Sequence, residues 1–102
     1  MEPLIQIKRL ILAGCVLFTE KAEQEIAADH LSKTLIYEAI WNAPAITKTI
    51  RSRNPKTNKR ENLYIIKGLT FDGLPIYTKG KILKYKTKDI FYVLISSKKS
   101  ID

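Results

Sequence analysis

At Ala45 the apolar residues of this chain change their period. Before it, Leu4, Ile7, Leu10 and Ile11 recur at helical spacing, as do Ala22, Ile26 and Ala27, then Leu35, Ile36, Ala39 and Ile40. After it, Ile46 and Ile50 alternate with Thr47, Thr49 and Arg51, the period of a strand with one wet face. A helical pattern does not settle into a strand, nor the reverse. Helices first and strands second predict an α+β domain, with the N-terminal helices packed on one face of a four-stranded, mainly antiparallel sheet. The 102 residues suit one domain, 1–102, and the 45% apolar content argues against wholesale disorder.

Local signals place the elements. Pro3 suits a first helical position and Gly14 a stop, which predicts a helix over 3–13. Residues 15–18 form a short apolar run, either a small strand or an extended connector. Thr19 caps a second helix that ends near His30, with Glu20 and Glu23 at its positive end. Ser32 caps a third, with Leu31 and Ile36 spaced as a hydrophobic staple and Pro44 past its end. Residues 54–62 contain no apolar side chain except the stem of Pro55 and read as a loop.

Strands are expected from Leu63 to Gly68, from Pro75 to Lys84 and from Ile90 to Ser97, joined by an Asp72-Gly73 hairpin and a turn over 85–89. A two-residue turn at Asp72-Gly73 sets Lys67 opposite Thr78 and Tyr64 opposite Lys81. The second turn sets Thr78 opposite Ser96 and Tyr77 opposite Ser97. In this register Leu63, Ile65, Ile76, Ile82, Tyr92 and Leu94 meet the helices, with Lys67, Thr78, Ser96 and Lys98 at the polar end of that face. Tyr64, Tyr77, Lys79 and Lys81 lie on the other face, along with Leu83, Phe91, Val93 and Ile95.

The two halves differ in charge. From Thr47 onward there are fourteen Lys or Arg against four Asp or Glu; before it there are four against six. A basic sheet carrying Tyr64, Tyr77, Tyr85 and Tyr92 suits a polyanion, RNA first. Cys15, the only cysteine, excludes an internal disulfide and a Cys-based metal cluster, and reads as a small buried hydrophobe. Residues 10–18 are too short an apolar run to span a bilayer, and no small-residue cleavage pattern follows them. The expectation is a cytoplasmic protein with no membrane partner.

Tyr77-Thr78-Lys79-Gly80-Lys81 is the densest cluster. Tyr77, Lys79 and Lys81 share a face, so two ammonium groups beside a phenol could hold a phosphate. Gly80 would let a backbone or ligand come close, although for the lysines taken alone a solvated strand face is the slightly better explanation. Arg51 and Arg53 at a strand end, then Lys56, Lys59 and Arg60 in the loop, read as RNA-binding, phosphate-tracking groups or, equally well, as a basic loop that confers solubility or docks an acidic partner. Lone His30 reads as a local hydrogen-bonding residue. Glu20, Glu23, Glu25 and Asp29 read as a solvated helix surface rather than metal ligands. Tyr37 and Trp41, four apart, read as core.

Several short motifs then form a familiar order: Phe18-Thr19-Glu20-Lys21-Ala22, His30-Leu31-Ser32, Glu38-Ala39-Ile40, an arginine-bearing strand, Leu63-Tyr64-Ile65-Ile66-Lys67-Gly68, Asp72-Gly73-Leu74-Pro75-Ile76 and Tyr92-Val93-Leu94-Ile95-Ser96. Over residues 18–98 the chain resembles a group of small bacterial domains allied to the RelE, BrnT and MqsR-like toxins. The resemblance implies a RelE-like fold and the toxin of a type II toxin–antitoxin pair. Such a toxin is an endoribonuclease (mRNA interferase) that cleaves mRNA by 2′-hydroxyl attack without metal or cofactor, and a cognate antitoxin binds it. By position, Tyr77 and Lys98 match the Tyr and Lys of the last two strands of MqsR-like toxins. The strand register adds Lys67 and Lys79 as catalytic candidates beside them, and Lys81 as an RNA contact. Lys21 stands where the wider group often carries His. The register above puts Tyr77 and Lys98 on opposite faces, so their meeting requires a bulge, or a Lys98 that lies beyond the strand. The rival expectation is a non-catalytic module that binds RNA or protein through the same sheet.

Overall fold

A computed structural model describes residues 2–101. Helix α1 (Pro3–Leu12) begins with Pro3, whose missing N–H costs nothing in the first turn. The chain leaves it through Gly14 at φ 75°, a region that glycine enters without strain. Strand β1 (Val16–Phe18) leads into α2 (Glu20–Ala28), where the Thr19 hydroxyl accepts from the Ala22 N–H at 3.2 Å. Helix α3 (Lys33–Asn42) is capped by Ser32, which accepts from the Leu35 N–H at 3.3 Å. Both caps stand where the sequence places them, because a short side-chain oxygen there satisfies an otherwise orphaned donor. Strands β2 (Lys48–Arg53), β3 (Arg60–Leu69), β4 (Pro75–Tyr85) and β5 (Lys88–Lys99) follow.

The α+β class holds, but the sheet has five strands and is mixed. Its order is β1-β5-β4-β3-β2, with β1 parallel to β5 and the other pairs antiparallel. The short apolar run became a strand because Val16 and Phe18 face the helices while Leu17 faces out, a division that a free connector does not enforce. Thr19 seals the junction: its N–H donates to Leu94 O at 3.0 Å and its hydroxyl to Ile95 O at 3.2 Å. The β2–β3 loop is shorter than its composition suggests, because residues 60–62 pair with β2.

All three helices lie on one sheet face. Leu4, Ile7, Ile26, Ile36, Ala39, Ile40 and Ala43 pack there on Tyr64, Ile66, Ile76, Tyr92 and Leu94. The expected register is off by one between β3 and β4: Lys67 pairs with Tyr77, and Ile66 with Thr78. The connection is not a two-residue Asp72-Gly73 turn but the five residues 70–74. Buried Thr70 draws it tight, accepting from Leu74 N–H on its hydroxyl and from Gly73 N–H on its carbonyl. A one-residue slip exchanges the faces. Tyr64 is therefore buried under the helices, whereas Leu63 and Ile65, which pair with the outward residues of β2 and β4, lie on the outer face. Trp41 is 45% exposed, under the Lys8 ammonium at 5.9 Å, and so is not core; Tyr37 packs against Phe18 at a 6.0 Å ring separation.

Two close approaches carry expected outcomes. A Cβ on Gly68 would lie 1.9 Å from the Ala39 carbonyl oxygen, which is rigid helix backbone. Gly68→Ala should cost about 3 kcal/mol in denaturant unfolding, since α3 must lift from β3; an unchanged midpoint would contradict that packing. The Tyr92 hydroxyl is buried with no hydrogen-bond partner among the described residues. Burial, and then neighbouring Tyr64, hold its phenol well above the ordinary value of 10.0. The unfolded chain therefore releases this proton first as pH rises, and the folded state loses about 1.4 kcal/mol per pH unit above 10 from this one group. Tyr92→Phe should remove that alkaline slope and leave stability at neutral pH equal or about 1 kcal/mol higher. Unfolding midpoints from pH 8 to 11 test both statements.

Candidate functional site

Three of the four expected catalytic side chains meet on the outer face. Lys67, Tyr77 and Lys98 stand side by side on β3, β4 and β5, as consecutive cross-strand partners. Two local irregularities bring them there. The 70–74 loop sets Lys67 opposite Tyr77. On the other side, Lys79 pairs with Ser96 but Gly80 pairs with Leu94, so β5 carries one extra residue, Ile95. Above this bulge the straight register holds, with Ile82 opposite Tyr92; below it Lys98, not Ser97, faces Tyr77. The Lys98 ammonium lies 5.5 Å from the Tyr77 ring centroid. The three residues line a concavity of about 770 Å³, closed by Asp29, Lys99 and Ser100.

Acidic residues of α2 hold the end of β5 in place. The Glu25 carboxylate accepts from the Ser96 hydroxyl at 2.8 Å and from the Ser97 N–H at 3.1 Å, and stands 3.9 Å from the Lys98 ammonium. Asp29 accepts from the Lys99 N–H at 2.8 Å. These carboxylates are therefore anchors and not a merely solvated surface. Their spacing of four along α2 was the available signal, because it sets both on one helix face.

The other expected residues divide. Lys79 shares the outer face with Tyr77 but pairs with Ile65 and Ser96 and stands outside the concavity. Lys81, further along, is held by Glu61 at 3.2 Å. Arg51 and Arg53 pair with Asn62 and Arg60, in register with Tyr64, so these side chains lie on the helix side of the sheet. Arg51 donates to Asn62 Oδ1 at 3.4 Å and Arg53 to Asn58 O at 3.1 Å. Lys56 and Lys59 lie in the adjoining loop. This group is at the opposite end of the sheet from Tyr77 and on its other face, since a one-residue register shift is enough to separate them. Gly80 makes room for the Tyr92 ring, whose Cζ would lie 2.5 Å from an added Cβ, and not for a ligand. His30 ends α2 at φ 56° and lines no part of the concavity.

Glu25→Ala should leave the Ser96 hydroxyl and Ser97 N–H without their acceptor and cost about 2 kcal/mol, with faster amide exchange at Ser97. Glu25→Gln, which keeps an acceptor, should cost clearly less. Denaturant unfolding and hydrogen exchange read both, and equal losses would remove the anchoring role.

Among the described residues no three His, Cys, Asp or Glu side chains gather where they could hold a metal ion, and no helix is long and apolar enough to cross a membrane. The protein matches no family model, no curated protein and no solved structure.

Proposed function

We propose that this protein is a metal-independent endoribonuclease, the toxin of a type II toxin–antitoxin pair akin to the RelE, BrnT and MqsR-like group, acting on mRNA in the cytoplasm. The observation that carries the reading is the row Lys67–Tyr77–Lys98 in one concavity at the end of the sheet, bordered by Asp29 at the end of α2. A tyrosine flanked by two lysines on neighbouring strands offers the groups that RNA transesterification needs. The RNA 2′-oxygen attacks the adjacent phosphorus and the bond from phosphorus to the 5′-oxygen breaks. The 2′-hydroxyl proton leaves to water, and the Tyr77 phenol gives its proton to the departing 5′-oxygen, to be restored from solvent. Lys67 and Lys98 flank the non-bridging oxygens and offset the charge that grows on them. Lys79 and Lys81 continue along the same face, where the adjoining phosphates of a strand would pass.

An antitoxin would cover this face. Leu17, Phe91 and Val93 stand on it without any helix over them, among lysines, and an acidic segment with apolar anchors complements that mixture. The same aromatics and lysines favour a second reading, RNA binding by stacking without cleavage.

Single-stranded RNA incubated with the protein in excess chelator separates the two. Cleavage should yield 2′,3′-cyclic phosphate and 5′-hydroxyl ends. Tyr77→Phe should slow it by about a hundredfold without lowering the melting temperature, and Lys98→Gln should slow it too. Intact RNA that is nevertheless bound, and released by moderate salt, would replace the nuclease with the binding module. RNA neither bound nor cut would reject both.

A further inference from the structure

We propose that a second groove, on the helix side of the sheet and at the end away from Tyr77, binds a nucleoside phosphate. Here β3 and β4 run on past the start of α1 and leave a concavity of about 850 Å³. That is within the range of small-ligand sites. Its walls sort into the parts such a ligand needs. Lys59, Arg60 and Lys84 bring positive charge. Lys84 shares part of its charge with Asp89 at 3.7 Å, and Glu61, the acidic member of the wall, is engaged by Lys81 at 3.2 Å. The balance left in the groove is cationic and suits a phosphate.

The floor indicates more than an anion. Tyr64 lines the groove, where its phenol can donate a hydrogen bond to a ligand group or accept one from it. Asn62 and Gln6 stand beside it. The Asn62 carbonyl already accepts from Arg51 at 3.4 Å, which leaves its amide N–H groups to donate. Side-chain amides and a phenol recognise the hydrogen-bonding edge of a base, and apolar Pro3 and Ile82 give its flat face something to lie on. The ligand is therefore a base joined to a phosphate, either a free nucleotide or one unit of a single-stranded chain. The site does not rest on the Tyr77 cradle.

The test follows the backbone amides of the ¹⁵N-labelled protein by NMR. The probes are AMP, UMP, their nucleosides, inorganic phosphate, and a short single-stranded oligonucleotide. A nucleotide should shift the amides of Gln6, Asn62 and Tyr64, while nucleoside and phosphate alone bind more weakly. Tyr64→Phe should weaken nucleotide binding about fivefold, the loss of one hydrogen bond, without lowering the melting temperature. Arg60→Gln should weaken it and flatten its salt dependence. Tyr77→Phe should leave it unchanged, whether or not the protein cleaves RNA. Tighter binding of the oligonucleotide than of either nucleotide assigns the natural source to a polynucleotide, and the reverse assigns it to free nucleotide. Absence of shifts at these three amides with every probe, or equal affinity for inorganic phosphate, overturns the proposal.

Discussion

One surplus residue in β5, Ile95, decides which side chains share a face of this sheet. A strand alternates strictly, so an inserted residue reverses the sense of everything beyond it. On one side of the bulge Tyr92 and Leu94 keep their place under the helices; on the other, Lys98 turns outward to stand beside Tyr77. The irregularity also needs support, because a bulged strand loses ladder bonds. Glu25 supplies it by taking the Ser96 hydroxyl and the Ser97 N–H on a single carboxylate oxygen. The arrangement of the outer concavity therefore depends on a helix that lies on the opposite side of the sheet.

Helices were legible where capping chemistry is local. Thr19 and Ser32 announce their helices within four residues of sequence, and Pro3 and Gly14 bound the first. Strand existence was nearly as plain, since the period of two is set by neighbours. Register was not, because it depends on loop geometry. Asp72-Gly73 has the composition of a tight turn, but buried Thr70 takes both nearby N–H groups and lengthens the connection to five residues. That single difference sent Tyr64 inside and Leu63 and Ile65 outside. The pairing of β1 with β5 was likewise open, because Val16–Phe18 is too short for alternation alone to separate strand from connector.

The candidate site was legible in its residue types and only partly in its grouping. Tyr77 and Lys98 were named by position in the resemblance and Lys67 by strand register, and they adjoin because of the 70–74 loop and the bulge. Arg51, Arg53 and Arg60 were named for their charge, but pairing between β2 and β3 sets them with Tyr64 on the other side. The basic charge of the second half is thus two surfaces rather than one. A polyanion that engages both must wrap round an edge of the sheet.

That edge is β2, whose outer side is bonded to no other strand among the described residues. Six residues of open ladder invite a second molecule to zip on, the first step of amyloid-like growth. Lys48, Arg51 and Arg53 occupy this border, and two such borders brought together would set cation against cation. The arginines therefore act as gatekeepers against self-assembly whatever else they touch, and an anion that neutralises them would also lower that guard.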